Sequence, residues 1–259
     1  MGVVKPKKHL GQHFLTDQNI AKKVVDSLSK DDCKNVIEIG PGMGVLTQYL
    51  LKENLNLKVI EIDKQSVDYL QNNFPELKEN LIHADFLKLE IKDLYQTQFK
   101  IIGNFPFNIS SPILFKVLDN RELVVEVVGM LQKEVAERIS AKHGSKTYGI
   151  LSVLLQAFFE VEYLFTVSEN VFNPPPRVKS AVIRLTRKDN FTLDCNEDQF
   201  RKVVKAGFSH RRKTLRNALK SSIFVHPKIL DDPIFDNRAE QLSVTDFVEL
   251  TKLISENNG

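Results

Sequence analysis

VIEIGPGMGVLTQYL, residues 36–50, passes from a β-branched apolar run through a glycine-rich turn into a helical pattern. Val36–Ile39 reads as a strand buried on both faces, and Val45–Glu53 as the helix after it. Between them Gly40, Gly42 and Gly44 make a G-x-G-x-G turn. Glycines at a strand-to-helix junction let backbone amides approach a ligand closely, near the positive end of the helix. Alone, the turn has a plainer explanation as a tight connection.

Working outward, further strands are expected at Lys58–Ile62, Leu81–Ala84, Phe99–Gly103 and Leu123–Met130, with helical segments such as Gln65–Phe74 between most of them. Upstream, Ile20, Val24, Val25 and Leu28 share one helix face, with Thr16 or Asp17 as the cap. Pro112 suits the first turn of a helix behind Ser111 that carries Ile113–Leu118. Short continuous apolar strands separated by helices predict an α/β fold with a mostly parallel, buried sheet. Val161–Val167 and Val178–Leu185, separated by a Pro-rich connection, NPPPR, read as an antiparallel pair at the end of that sheet. The α/β domain is expected to span residues 1–187. A polar linker, 188–195, then leads to a small all-helical domain, 196–259. There the helical period is carried by Phe200, Val203, Val204 and Phe208, then by Leu215, Leu219 and Ile223. Ser243 and Asp246 make a capping box for the last helix.

The chain has 259 residues and a net charge of only +3, so composition alone does not mark a nucleic-acid binder. Cys33 and Cys195 are far apart and show no C-x-x-C spacing, which argues against a disulfide framework or a zinc site and suits a reducing cytosol. The histidines show no metal-ligand spacing, and no metal is expected. The longest apolar run, Ile150–Phe159, is too short to span a bilayer, and MGVVKPKKHL lacks a signal-peptide core. A soluble cytoplasmic protein is expected, with a monomer as the default for this architecture.

Glu61, in KVIEID, follows the first glycine by about twenty residues, where an acid can accept from both ribose hydroxyls of a bound nucleoside. Asp85, in HAD, falls at the same sheet edge, where a carboxylate can accept from an adenine amine; a helix cap is the alternative. NAD and S-adenosylmethionine both remain as ligands. The G-x-G-x-G spacing leans to S-adenosylmethionine, because it departs from the pyrophosphate fingerprint G-x-G-x-x-G.

The fourth strand ends in GNFPFNISSP, residues 103–112. Asn104 should sit at the carboxyl edge beside the glycine turn, where open α/β sheets bind ligands. Pro106 fixes its own φ and biases Phe105 to an extended conformation, which stiffens the turn. The Asn104 side-chain oxygen and a nearby main-chain carbonyl then offer two fixed acceptors to a planar amine. Phe107 can stack on the ring that carries this amine. Acceptors favouring a more tetrahedral amine would localise its lone pair toward a sulfonium methyl. Catalysis would rest on orientation and electrostatics, without a metal or a covalent intermediate.

In order, GQHFL, EIGPGMG, VIEID, the Asp of HAD, GNFPFNISSP, MLQKEVAER, FNPPPRVKSAVIRL and FSHRRKTLRNAL resemble the motifs of the small-subunit (16S) rRNA adenine dimethyltransferases. The resemblance implies a class I S-adenosylmethionine-dependent methyltransferase fold, Rossmann-like, with a helical C-terminal domain. It implies dimethylation of two adjacent adenines in the 3′-terminal hairpin loop of small-subunit rRNA, within a late pre-30S particle. By position, the cofactor contacts would be His13, Leu15, Gly40, Glu61, Asp85 and Asn104, beside the turn glycines Gly42 and Gly44. Phe107 would stack on the target base and Phe172 would be the second aromatic against it. Two departures stand out. The commonest family motif has Leu and Tyr at Phe105 and Phe107, and many members have Asn at His13.

RKVVKAGFSHRRKTLRNALK, residues 201–220, holds eight Lys or Arg and no acid, which predicts a phosphate-binding surface with Arg211, Arg212, Lys213 and Arg216 as candidates. Lys5, Lys7 and Lys8 form a second basic tract on an N-terminal arm. The competing activity is that of the large-subunit rRNA dimethyltransferases that confer antibiotic resistance. The triple proline and the Arg-rich helix favour the small-subunit class. A non-catalytic ribosome assembly factor is the reading from another class, and the intact site disfavours it.

Overall fold

A computed structural model of the chain describes residues 4–220 and 225–257, so the expected helical position Ile223 lies outside the described residues. The strands are β1 (Phe14–Leu15), β2 (Asn35–Ile39), β3 (Asn56–Glu61), β4 (Leu81–His83), β5 (Phe99–Asn104), β6 (Val124–Gln132), β7 (Phe159–Val167), β8 (Phe172–Asn173) and β9 (Ser180–Arg187). The helices are α1 (Gln18–Val25), α2 (Thr47–Leu50), α3 (Lys64–Asn73), α4 (Ser110–Asp119), α5 (Lys133–Ser140), α6 (Ile150–Phe158), α7 (Glu197–Ser209), α8 (Leu215–Lys220) and α9 (Val244–Asn257).

Seven strands form one sheet in the order β4-β3-β2-β5-β6-β9-β7. Pairings from β4 through β6 are parallel, and β9 runs antiparallel to β6. The parallel strands are mainly apolar, as a sheet buried on both faces requires: Val36, Ile37, Val59, Ile101 and Val128 are wholly enclosed, with Glu38, Lys100 and Glu126 as buried charged exceptions. Each such side chain contributes about 1.5–3 kcal/mol of burial. β2 has β3 on one side and β5 on the other, so the chain direction of travel reverses there. At such a switch point the connecting loops part and leave a crevice at the carboxyl edge. The ends of β2 and β5 at that edge are Ile39–Gly40 and Asn104.

Local signals account for most element boundaries. Asp17 caps α1 by accepting from the N–H groups of Asn19 and Ile20, Asp63 caps α3, and Ser243 and Asp246 bond reciprocally ahead of α9. Three elements differ from expectation. The helix after the glycine turn is only α2, because Gly44 N–H turns back to Pro41 O and Glu53 N–H to Leu50 O, tight i→i−3 closures at both ends. α4 starts at Ser110 with Ile109 as its cap residue, so Pro112 is its third residue and still needs no intrahelical partner for its nitrogen. β9 begins at Ser180, opposite Gln132, which leaves Val178 47% exposed.

The domain boundary is also different. The chain divides into two compact units, Met1–Ala136 with Glu162–Arg187, and Glu137–Val161 with Lys188–Gly259. The run containing Ile150–Phe158, placed by sequence in the α/β domain, is helix α6 and packs against α7 and α9. Lys188, expected in a free linker, is anchored by its N–H to Phe158 O at 2.9 Å and by its ammonium to Gln156 O at 2.7 Å. This second unit has its own core of Phe200, Val203, Leu219, Phe235, Phe247 and Leu250. No helix among the described residues is long and apolar enough to cross a membrane.

Candidate active site

The crevice predicted by the strand order is an open cavity in the first unit. Its walls come from the N-terminal arm (Leu10–Phe14), the glycine turn, the end of β3, the Asp85 loop and the segment after β5. Gly40 and Gly42 take left-handed φ values of 66° and 57°. A Cβ on Gly42 would stand 2.7 Å from the Phe14 ring, so a side chain there is excluded by both conformation and space.

Glu61 is the anchored acid of this cavity. It is 3% exposed, and its two oxygens accept from Gly42 N–H at 3.1 Å and Asp63 N–H at 2.8 Å. Burial pushes its carboxyl above the ordinary range, against the opposing pull of those N–H groups. Each carboxylate oxygen keeps a further lone pair for a hydroxyl donor. Asp85 is a cap that also faces the cavity. Its Oδ1 caps the next turn by accepting from Leu87 N–H at 3.0 Å, and the residue lines the cavity.

Asn104 is the last residue of β5, and its Nδ2 donates to His13 O at 2.9 Å. That bond fixes which end of the amide is which, leaving Oδ1 as an acceptor. Phe105 N–H donates to Met130 O at 2.9 Å, which continues the β5–β6 ladder one residue past the strand. The Phe105 carbonyl accepts no hydrogen bond among the described residues, whereas Pro106 O is taken by Ile109 N–H at 3.1 Å. The two aromatics of the turn part company. Phe105 is 1% exposed and belongs to the core, while Phe107 is half-buried, lines the cavity and tilts against the His13 ring at 5.3 Å. His13 in turn donates from Nδ1 to Pro174 O at 2.8 Å, since a carbonyl can only accept.

The structure therefore brings together His13, Gly40, Gly42, Glu61, Asp85, Asn104, Pro106 and Phe107. Three expected residues are elsewhere. Gly44 packs beneath Phe74 and Leu70, and neither it nor Leu15 or Phe172 lines the cavity. Leu15 and Phe172 are opposite each other in the β1–β8 pair and buried in the main core, so Phe172 offers no face to a base in this conformation.

Other features were not legible in the sequence. Glu38 is 1% exposed; Thr47 Oγ1 donates to its Oε2 at 2.7 Å, and its Oε1 has no partner. Burial pushes its pKa up to about 8, so it is held neutral at pH 7. Lys7, expected to bind phosphate, is instead ion-paired with the enclosed carboxylate of Asp63. Lys5 and Lys8 are exposed. In the second unit Arg211 pairs with Glu240 at 2.8 Å and donates to Lys146 O, while Arg216 pairs with Asp236 at 2.6 Å and donates to Leu230 O. Arg212 and Lys213 are exposed, and neither side chain has a partner among the described residues. The compensating acids lie 29 and 20 residues away in sequence, beyond a local window.

Among the described residues the cavity lining contains no Lys or Arg, and α2 is a single turn with a weak dipole. A pyrophosphate would find no counter-charge there. S-adenosylmethionine, which carries no phosphate, fits: apolar Ile39, Ile60, Ile62 and Phe86 face it beside the anchored acid. Fold and site together define a class I S-adenosylmethionine-dependent methyltransferase.

The sequence model of the ribosomal RNA adenine dimethylase family matches residues 3–256. A Cytophaga hutchinsonii protein named ribosomal RNA small subunit methyltransferase A is 63% identical over 257 residues, 98% of this chain and 99% of that one. The crystal structure of a Plasmodium falciparum dimethyladenosine transferase superposes with a TM-score of 0.81 at 26% identity, covering 95% of this chain and 98% of the other. That of the 23S rRNA methyltransferase ErmE shares the fold, with a TM-score of 0.69 at 23% identity over 92% of this chain and 99% of its own. The chain belongs to the ribosomal RNA adenine dimethylase family, and as such is an S-adenosylmethionine-dependent rRNA adenine dimethyltransferase.

Proposed function

We propose that this enzyme dimethylates the exocyclic N6 amines of two adjacent adenines in the 3′-terminal hairpin loop of small-subunit rRNA, as a cytoplasmic monomer acting on late pre-30S particles. The small-subunit assignment draws support from the name of the 63%-identical relative. The observation that carries the chemistry is the Asn104 Nδ2–His13 O bond at 2.9 Å.

With its nitrogen turned to the His13 carbonyl, the Asn104 amide leaves its oxygen for an incoming amine. Phe105 O, which accepts nothing else among the described residues, is the second acceptor. Two acceptors hold both N–H bonds of the amine and draw its lone pair out of conjugation with the ring. Phe107 stacks on the base, an interaction worth about 1–3 kcal/mol. Glu61 and Asp85 hold the cofactor through its hydroxyls and adenine amine. S-adenosylmethionine supplies an electrophilic methyl on a sulfonium centre. The target base must leave its stack to reach Asn104, which suits a loop adenine. Arg212, Lys213, Lys5 and Lys8 are the cations left for phosphate contact.

The test is transfer of radiolabelled methyl groups to unmethylated small subunits by wild type and Asn104→Ala, with primer extension to locate the product. Loss of an acceptor aimed at the reacting amine should cut kcat by about 10²–10³. Reverse transcriptase should stop at two adjacent adenines of the small-subunit rRNA. A stop in large-subunit rRNA alone would move the enzyme to the resistance class. Tight subunit binding without transfer would make it an assembly factor.

A further inference from the structure

The Lys7–Asp63 pair joins two walls of the cavity that are distant in sequence. Asp63 follows Glu61 by two residues, and its side chain is fully enclosed. Its carboxylate gathers four donors: Lys7 Nζ, Gln12 Nε2 at 3.4 Å, Gln65 N–H at 3.2 Å and Ser66 Oγ at 3.1 Å. Lys7 N–H also donates to Gln12 Oε1 at 2.8 Å, so the arm is knotted to Asp63 at two points. The next residue, His13, presents its carbonyl to Asn104 Nδ2. On the other side, Asp63 N–H holds Glu61 Oε1. An unbroken chain of contacts thus runs from the cofactor acid to the amine acceptor, Glu61 to Asp63 to Lys7 and Gln12 to His13 to Asn104.

We infer that Lys7, Gln12 and Asp63 are positioning residues that clasp the N-terminal arm to the Glu61 loop and thereby orient both the cofactor acid and the Asn104 amide. The inference rests on the reading of this cavity as the S-adenosylmethionine site. Lys7 is the vulnerable point. It is a long, flexible side chain, one-third exposed, whose charge meets a carboxylate already held by three other donors. Removing it leaves Asp63 capping α3 but the arm held only through the long Gln12 Nε2 contact at 3.4 Å. The His13 carbonyl can then drift from Asn104, and a small displacement at a reacting group is costly in rate.

The experiment compares full-length wild type, Lys7→Met and Lys7→Arg on unmethylated small subunits, with KM for S-adenosylmethionine, KM for subunits, kcat and Tm measured separately. Lys7→Met should raise the cofactor KM about tenfold and lower kcat about tenfold, the scale of one lost charge-assisted contact. The subunit KM should stay within about twofold, and Lys7→Arg should recover most of both losses. A rise confined to the subunit KM would make Lys7 a phosphate contact and overturn the clasp. So would a lowered Tm with unchanged kinetics. Glu61→Ala, measured by direct cofactor binding, separates the underlying reading. Unchanged binding there would mean that the cavity is not the cofactor site. Weakened binding there together with an unaffected Lys7→Met would sink the clasp alone.

Discussion

Phe105 fills the space that Gly129 leaves open: a Cβ on Gly129 would stand 2.5 Å from Phe105 Cε2. Gly129 pairs with Gly103 on the neighbouring strand, and a Cβ on Gly103 would likewise lie 3.1 Å from Phe105 Cε1. Two facing glycines thus make a slot for an aromatic ring where the commonest family motif has Leu. Gly129→Ala should destabilise the protein by about 1–3 kcal/mol through overpacking. Phe105→Leu in the same chain should restore part of that loss. Urea unfolding of the single and double variants measures the coupling.

Phe107 is the aromatic of this turn left to line the cavity once Phe105 is in the core. Phe107→Ala should lower kcat/KM for RNA by roughly tenfold to a hundredfold, the worth of one base–aromatic stack. Phe107→Tyr keeps the face and adds a hydroxyl, and should stay within about threefold of wild type. Methyl-transfer kinetics at varied subunit concentration check both.

Glu38 makes stability depend on pH with a definite sign. Its folded pKa of about 8 lies above the ordinary value of 4.5, so between these limits the native state binds a proton that the unfolded chain does not. Stability contributed by neutral Glu38 is full at low pH and is lost as pH rises, by about 1.4 kcal/mol per unit within that window. Glu38→Gln retains an acceptor for Thr47 without a titrating group. Its advantage over wild type should be small near about pH 5 and largest above about pH 8. Thermal unfolding of both proteins across that range should show the two curves diverging.

The four cations at 211–216 should behave as two pairs. Arg212→Ala and Lys213→Ala should weaken subunit binding and each reduce the salt slope by about one, as expected for phosphate contacts. Arg211→Ala and Arg216→Ala should instead lower the Tm, because Arg211 holds Glu240 and the Lys146 and Tyr148 carbonyls and Arg216 holds Asp236 and the Leu230 carbonyl, at about 1 kcal/mol apiece. Binding titrations at several salt concentrations, with melting curves alongside, distinguish the pairs.

Period and punctuation in the sequence carried the parallel sheet, the glycine turn, the caps at Asp17 and Ser243 and the approach of Gly40, Glu61, Asp85 and Asn104. These follow from local rules: apolar runs seek a two-sided core, and loops at a switch point gather at one edge. The same locality hid the α6 assignment. An apolar stretch is equally consistent with either unit until its packing partners, α7 and α9, are in place.

By itself the sequence determined the α/β class and the gathering of Gly40, Glu61, Asp85 and Asn104 at one edge of the sheet, because each depends on spacing along a single strand and its loop. Only the tertiary structure decided which way Asn104 presents its amide, that Phe172 is core, that Glu38 is neutral, and that Lys7, Arg211 and Arg216 are tethered. Those properties depend on the atoms that a side chain meets after folding. The partners are supplied by residues tens of positions away: His13 for Asn104, Asp63 for Lys7, Glu240 for Arg211 and Asp236 for Arg216.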